Sequence, residues 1–266
     1  MTFEPHPKEF FAPTEAPPRI LNLRDKLTAF ADIGIDRVVI ERFNAAYAKL
    51  SPEQFVAEIL IRRLNTKWIL IGDDFCYGAK RAGNFASLKR AGEQLGFEVS
   101  NINTVLENQE RISSSALRSA LAQGDMEKAA LLLGRPYTIS GHVIYGRQLG
   151  RTLGFPTLNI AVANHLQERK PAMTGIFTVL VHGLGDTPLP GVASLGVRPT
   201  VEDAGRVLLE VHVFDFNAQV YGRILRVELL EKIRDEAKYP DLETLQSAIQ
   251  SDAQYARDYF QKKAHV

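Results

Sequence analysis

Two hydrophobic periods divide this chain. Up to about residue 135, stretches with apolar residues at helical spacing alternate with short continuous apolar runs. Leu27, Phe30, Ala31 and Ile33 give helical spacing over 24–33, Gly34 stops it, and 36–40 reads as a short strand. Ser51-Pro52-Glu53-Gln54 supplies a serine cap, a first-turn proline and an acceptor at the third position, ahead of Phe55, Ile59 and Leu60 on one helical face. Residues 68–72 predict a buried strand ending in glycine, 85–95 a helix closed by Gly96, and 97–99 another strand. Apolar strands between amphipathic helices predict a doubly wound α/β unit with a parallel sheet covered on both faces. Helices over 114–122 and 126–133 follow, and Gly134-Arg135-Pro136 breaks the pattern.

Beyond residue 136 the period becomes that of strands. Segments 139–145, 175–182, 191–195, 207–216 and 224–230 are separated by turns without helices between them, which predicts an antiparallel barrel or sandwich. A single long helix over 241–262 closes the chain, with Leu242, Leu245, Ile249, Ala253, Ala256 and Phe260 as a stripe expected to pack across the barrel. The expected division is 1–136, α/β, and 137–266, all-β with a terminal helix.

Composition narrows the function without choosing it. Of 266 residues, 45% are hydrophobic and 24% charged, so a sizeable core is possible and disorder is excluded. A formal charge of +1, from 32 basic against 31 acidic residues, leaves no electrostatic footprint for nucleic acid or an anionic membrane. The lone cysteine, Cys76, forms no internal disulfide, and no apolar run approaches the roughly 18 residues that span a bilayer, so a cytoplasmic protein is expected. Residues 1–7 lack a signal-peptide layout. Thr2 and Phe3 read as the tail of a strand with nothing before it, so the N-terminus reads as cut.

Five segments carry candidate chemistry. Asp73 and Asp74 follow the strand 68–72 at its carboxyl end, where open α/β sheets bind ligands, although a helix-capping acid reads the same way. Arg111-Ile112-Ser113-Ser114-Ser115-Ala116-Leu117-Arg118 offers hydroxyls, helix-start amides and two arginines, suited to phosphate or to plain capping. The stretch 141–159 carries Gly141, Gly146, Gly150 and Gly154 with Arg147 and Arg151, and lets backbone approach a polyphosphate without matching the Walker spacing. In an extended Pro156-Thr157-Leu158-Asn159, Thr157 and Asn159 share one side, a neutral oxygen pair suited to Mg²⁺; a glycine-rich hairpin with an Asn turn is the plainer reading. Glu210 lies inside the apolar strand 208–214, sharing a face with His212 and Phe214, and spacing does not decide which face is interior. On a cleft Glu210 would suit a general base, whereas His212 reads as a hydrogen-bonded surface histidine. Arg234 either pairs with its neighbouring acids Asp235 and Glu236 or meets a ligand.

Together these residues resemble the prokaryotic bifunctional riboflavin kinase/FMN adenylyltransferases, often called FAD synthetases. Thr2-Phe3-Glu4-Pro5-His6-Pro7, Gly72 to Gly78 and Ile112 to Ser115 are similar to adenylyltransferase motifs. The kinase motifs are matched in order by Leu153 to Asn159, Gly196-Val197-Arg198-Pro199-Thr200, Leu209 to His212, Tyr221-Gly222 and Ile233 to Glu236. The resemblance implies a nucleotidyltransferase-type Rossmann-like domain followed by a six-stranded flavokinase barrel with a C-terminal helix. It implies ATP, Mg²⁺ and the flavins riboflavin, FMN and FAD as ligands. Glu210 would be the catalytic base, Thr157 and Asn159 would hold Mg²⁺ and phosphates, the glycine loop with Arg151 would cover the nucleotide, and Arg234 would meet the flavin. Asp74, Arg111, Ser114, Ser115 and Arg118 would form the adenylyltransferase nucleotide site.

That family's first half opens with a Gly-x-Phe-Asp-Gly turn and a His-x-Gly-His motif, and none of the six histidines here forms such a pair. For a chain starting at Met1 the resemblance therefore implies impaired adenylylation beside an intact kinase half. The alternatives are a nucleotidyltransferase alone, which a truncated first half supports poorly, and a non-catalytic flavin or nucleotide carrier, which has no use for a metal-binding pair and a base.

Overall fold

A computed structural model describes residues 1–72, 74–102, 106–107, 110–146, 149–162, 171–197 and 207–264. Its larger elements run β1 (Thr2–Glu4), α1 (Leu23–Asp32), β2 (Ile40–Arg42), α2 (Pro52–Gln54, continued in wider π-type turns over Phe55–Arg63), β3 (Trp68–Ile71), α3 (Phe85–Leu95) and β4 (Glu98–Asn101). Next come α4 (Ser114–Gln123), α5 (Met126–Leu133), β5 (Tyr137–Ile144), β6 (Leu158–Ala161), β7 (Gly175–His182), β8 (Leu189–Val197), β9 (Val207–Val213), β10 (Ile224–Arg234) and α6 (Leu242–Ala264).

One compact unit comprises Met1–Pro17 and Asp36–Arg111. Its sequence signals act as read: Ser51 caps α2 in a reciprocal box with Gln54, and Gly96 ends α3 in the left-handed conformation. Phe55, Ile59, Leu60, Leu88 and Phe97 are buried in its core. The strands differ from expectation. Among the described residues β1–β2 and β3–β4 are separate two-stranded parallel pairs. In β3 only Ile71 is buried, whereas Trp68 and Leu70 are 53% and 44% exposed, so the continuous apolar run covers one face only. The strand expected over 36–40 begins at Ile40, where Thr2–Glu4 supplies a partner, and Asp36 and Arg37 stay exposed.

The second compact unit comprises Pro18–Ile35 and Ile112–Val266. The unit boundary therefore differs from the change of period at residue 136, because Leu117, Leu121, Met126 and Ala129 of α4 and α5 join the barrel's own core. Six antiparallel strands close in the order β6-β9-β8-β7-β10-β5, which leaves no free sheet edge. The sixth strand is β6, inside the segment whose glycines and proline hid it from the periodicity. Phe177, Val179, Val181, Leu209, Val211, Leu225 and Val227, none more than 1% exposed, fill the interior. Outside, α6 lays Ala253 and Ala256 on Val192 and Phe214, and Arg257 stacks over the Phe214 ring at 4.1 Å.

Helix α1 docks on β5 through one polar exchange. Asn22 donates to the carbonyl of Ser140 at 3.0 Å, and Asp25, only 4% exposed, accepts the Ser140 N–H at 3.1 Å. Burial raises the Asp25 pKa, opposed by the Ser140 bonds and then by Arg135 and Arg24. A carboxyl whose folded pKa lies above its unfolded value contributes stability below the unfolded pKa and loses it as pH rises through the folded one. Asp25→Asn keeps an acceptor for Ser140 without the charge. Urea midpoints across pH should therefore show the variant gaining on the wild type as pH rises from about 4 toward neutrality. A constant difference would refute this account.

Candidate active site

The alternation of β9 settles which way Glu210 points. Leu209, Val211 and Val213 face the barrel interior at 0%, 0% and 5% exposure, so Glu210 and His212 lie on the outer wall. In register, Glu210 stands opposite Asn159 of β6 on one side and Ser194 of β8 on the other. These three polar residues form a row across adjacent strands. Over that wall a cavity of about 280 Å³ opens beneath α6, lined by Gly150, Phe155, Thr157, Ser194, Glu210, His212, Arg234, Glu236 and Tyr239, with Leu245, Ile249 and Asp252 from the helix. Leu245 and Ile249 belong to the predicted apolar stripe, but they line this cavity, and Leu242 is exposed.

The charged groups around the cavity divide between scaffold and open function. Arg234 places Nε 2.8 Å and one terminal nitrogen 2.5 Å from the two Asp252 oxygens, and its other nitrogen donates to the Asp235 carbonyl at 2.9 Å. Its pairing is thus with the helix and not with the neighbouring carboxylates; the Asp252 bonds are the main reason its pKa rises. The His212 Nδ1 lies 2.9 Å from the Pro156 carbonyl and its ring meets the edge of Phe155, so it fastens the segment leading to Thr157. Glu236 is exposed at the rim, but its carboxyl end tucks over Gly196 and accepts from the Ser194 hydroxyl at 3.3 Å. Loss of water there raises its pKa, Ser194 opposes the rise, and Glu210 adds to it.

The predicted phosphate segment is only partly a loop. Gly146 lies directly over Asn159: a Cβ at 146 would overlap the Asn159 amide. Gly150 sits in a single short turn and packs on the Phe155 carbonyl, 3.5 Å from Thr157 Cγ2 for an added Cβ. Gly141 departs from expectation. It is buried within β5, where a Cβ would meet the Ala161 carbonyl and Ile160, so its lack of a side chain serves the barrel wall. Thr157 also lines a second hollow of about 50 Å³ with the exposed Arg151 and with Tyr221, whose ring stacks on Tyr145 at 3.9 Å. Arg147 and Arg198 to Thr200 lie outside the described residues.

Neutral side-chain oxygens of Thr157 and Asn159 beside a carboxylate are the hard donors that Mg²⁺ takes, with waters and phosphate completing its shell. Among the described residues no group of three His, Cys, Asp or Glu could hold a metal. The Thr157 and Asn159 oxygens are donors that would fit Mg²⁺ with waters and phosphate oxygens in the rest of its shell.

The adenylyltransferase candidates fall in both units. Asp74 is exposed after β3, and Arg111 is exposed at the end of the first unit; Asp73 lies outside the described residues. In the second unit Ser113 caps α4, its hydroxyl accepting the Ala116 N–H at 3.1 Å, which leaves Ser114 and Ser115 exposed on the first turn. Arg118 donates to the carbonyls of Pro18 at 2.8 Å and Ser114 at 3.2 Å, so two of its donors are used within the fold.

Comparison with known proteins decides the family. A riboflavin kinase model matches residues 133–260, and an FAD synthetase model matches residues 1–116. A bifunctional riboflavin kinase/FMN adenylyltransferase of Escherichia coli (strain K12) is 43% identical over 98% of this chain and 82% of its own length. The chain belongs to the bifunctional riboflavin kinase/FMN adenylyltransferase family. Members from Pseudomonas fluorescens and Haemophilus influenzae are 41% and 39% identical, each over 83% of its own length and 99% and 98% of this chain. A solved structure described as a macrolide-efflux protein from Streptococcus pneumoniae has the same fold, at TM-score 0.71 and 28% identity over 90% of this chain and 76% of that one. No helix among the described residues here is long and apolar enough to cross a membrane.

Within this family's barrel the structure unites Thr157, Glu210, Gly150 and Arg234 around one cavity and sets Asn159 beside Glu210. Ser194 was not singled out from sequence, and Glu236 appeared only as a neighbour of Arg234. The signal for Ser194 was its place two residues before Gly196 in a strand.

Proposed function

We propose that the barrel unit transfers the γ-phosphoryl group of ATP to the terminal ribityl hydroxyl of riboflavin, giving FMN and ADP, and that the first unit belongs to the FMN-adenylylating half of the same pathway. The observation that carries the kinase reading is Glu210 and Thr157 on one cavity, with Thr157 shared by the hollow that contains Arg151. Flavin enters beneath α6, where Phe155, Tyr239, Leu245 and Ile249 accept an apolar ring. Its terminal hydroxyl then meets Glu210, which takes the proton as that oxygen bonds to the γ-phosphorus and the bond to the β-phosphate oxygen breaks. Phosphoryl transfer depends on alignment and charge neutralisation, so one carboxylate and a backbone cradle suffice on the protein's side. Thr157 and Asn159 would hold Mg²⁺, which supplies charge neutralisation when bound with ATP. Gly146 and Gly150 let the backbone approach the phosphates, and Arg151 adds charge. Arg234 shapes the flavin wall through its hold on Asp252. Asp74, Arg111, Ser114, Ser115 and Arg118 are the residues we assign to nucleotide recognition for adenylylation. An exposed lone thiol, Cys76, suits a reducing cytoplasm.

Incubation with riboflavin, ATP and Mg²⁺, followed by chromatographic separation of the flavins, tests the assignment. FMN is the expected product, and FAD beside it reports the second activity. Unchanged riboflavin would favour a flavin carrier and overturn the kinase reading.

A further inference from the structure

The cavity beneath α6 has two kinds of wall, and only part of it is needed for the reaction. Its apolar side suits a tricyclic ring, and Thr157 with Glu210 suits the reacting end. The same cavity is also lined by Ser194 and Glu236. Ser194 stands directly across from Glu210, where cross-strand neighbours are about 5 Å apart, a span that a short polyol chain can bridge. Glu236 rests on that serine at 3.3 Å and fits only because residue 196 has no side chain to displace its carboxylate. The other charged groups nearby are committed: Arg234 and Asp252 hold each other, the Asp235 carboxylate pairs with Lys232 at 2.6 Å, and His212 is bound to the Pro156 carbonyl. No lysine or arginine forms an ion pair with Glu236 among the described residues.

We infer that Glu236 is a specificity residue that accepts hydrogen bonds from the internal hydroxyls of the flavin's sugar-alcohol chain while Glu210 addresses the terminal one. The inference rests on the kinase reading for the orientation of the flavin. A carboxylate built to bond neighbouring hydroxyls penalises an analogue that lacks them, because once the flavin covers it and shuts out water the acceptor keeps only the Ser194 hydroxyl as donor. Glu236 thereby places the reacting hydroxyl and selects polyol flavins over alkyl ones.

The test compares riboflavin with a flavin bearing a plain five-carbon alcohol, which keeps the terminal hydroxyl and lacks the internal ones. Wild-type protein should favour riboflavin in kcat/KM. Glu236→Ala should lose about 10- to 100-fold on riboflavin and less than about threefold on the alkyl alcohol, with Glu236→Gln between them. Equal losses on both substrates would overturn the inference, since a purely structural role cannot distinguish them. Quenching of flavin fluorescence gives the same contrast without turnover. Discrimination lost in the variant's binding, in a protein that makes no FMN, would sink the kinase reading and leave Glu236 as the polyol reader.

Discussion

Glu210→Gln should lower kcat for FMN formation by about 10²- to 10⁴-fold, the usual contribution of a positioned general base, with riboflavin binding changed less than about threefold. The amide keeps the size and hydrogen-bonding reach of the carboxylate. Glu210 also lies on the outer wall of β9, so the interior built by Leu209 and Val211 is untouched and the melting temperature should stay near the wild-type value. What is removed is the negative charge and, with it, the capacity to accept a proton. In steady-state assays with saturating ATP the loss should therefore appear in kcat, as expected for an interaction made in the transition state. Retention of more than about a tenth of wild-type kcat would reject Glu210 as base. The carrier reading makes the opposite forecast, because binding without chemistry leaves no turnover to lose.

Local signals survived into the structure where one residue's chemistry sufficed. Ser51, Gly96 and the helix 126–133 are where capping and period place them, and His212 has the hydrogen bond expected of a surface histidine. The strand faces were not legible. Trp68 to Ile71 has the apolar run of a strand buried on both sides, yet its burial depends on neighbours that a period cannot name. Glu210 presented the same ambiguity, resolved only when closure of the barrel turned Leu209 and Val211 inward. Glu236 was harder still. Its approach to Glu210 depends on the end of β10, the register of β8 on β9 and the small residue at 196, three long-range facts with no local pattern. The glycine-rich stretch misled in the other direction: equal residues at 141 and 146 read as one loop, although the first is barrel wall.

Those two glycines give the second large expected effect. At Gly146→Val the new side chain must occupy space held by the Asn159 amide, so the loop lifts or Asn159 turns away from its place opposite Glu210. Asn159 is 5% exposed and packed between β5 and β9, so the turn is blocked on the barrel side and the loop moves. A displacement of about 1 Å at a phosphate cradle costs about 10²-fold in rate, so kcat/KM for ATP should fall by that order while the barrel's circular dichroism and melting stay close to wild type. Gly141→Ala should behave inversely. Its methyl group drives against the Ala161 carbonyl and Ile160 inside the β5–β6 seam, where over-packing costs about 1–3 kcal/mol, so stability falls first and the folded fraction retains its kcat. Parallel melting and ATP-titration experiments on the two variants separate these outcomes. Equal catalytic defects at both positions would return Gly141 to the nucleotide loop, and near-normal ATP kinetics in Gly146→Val would remove the reason for placing the triphosphate above Asn159.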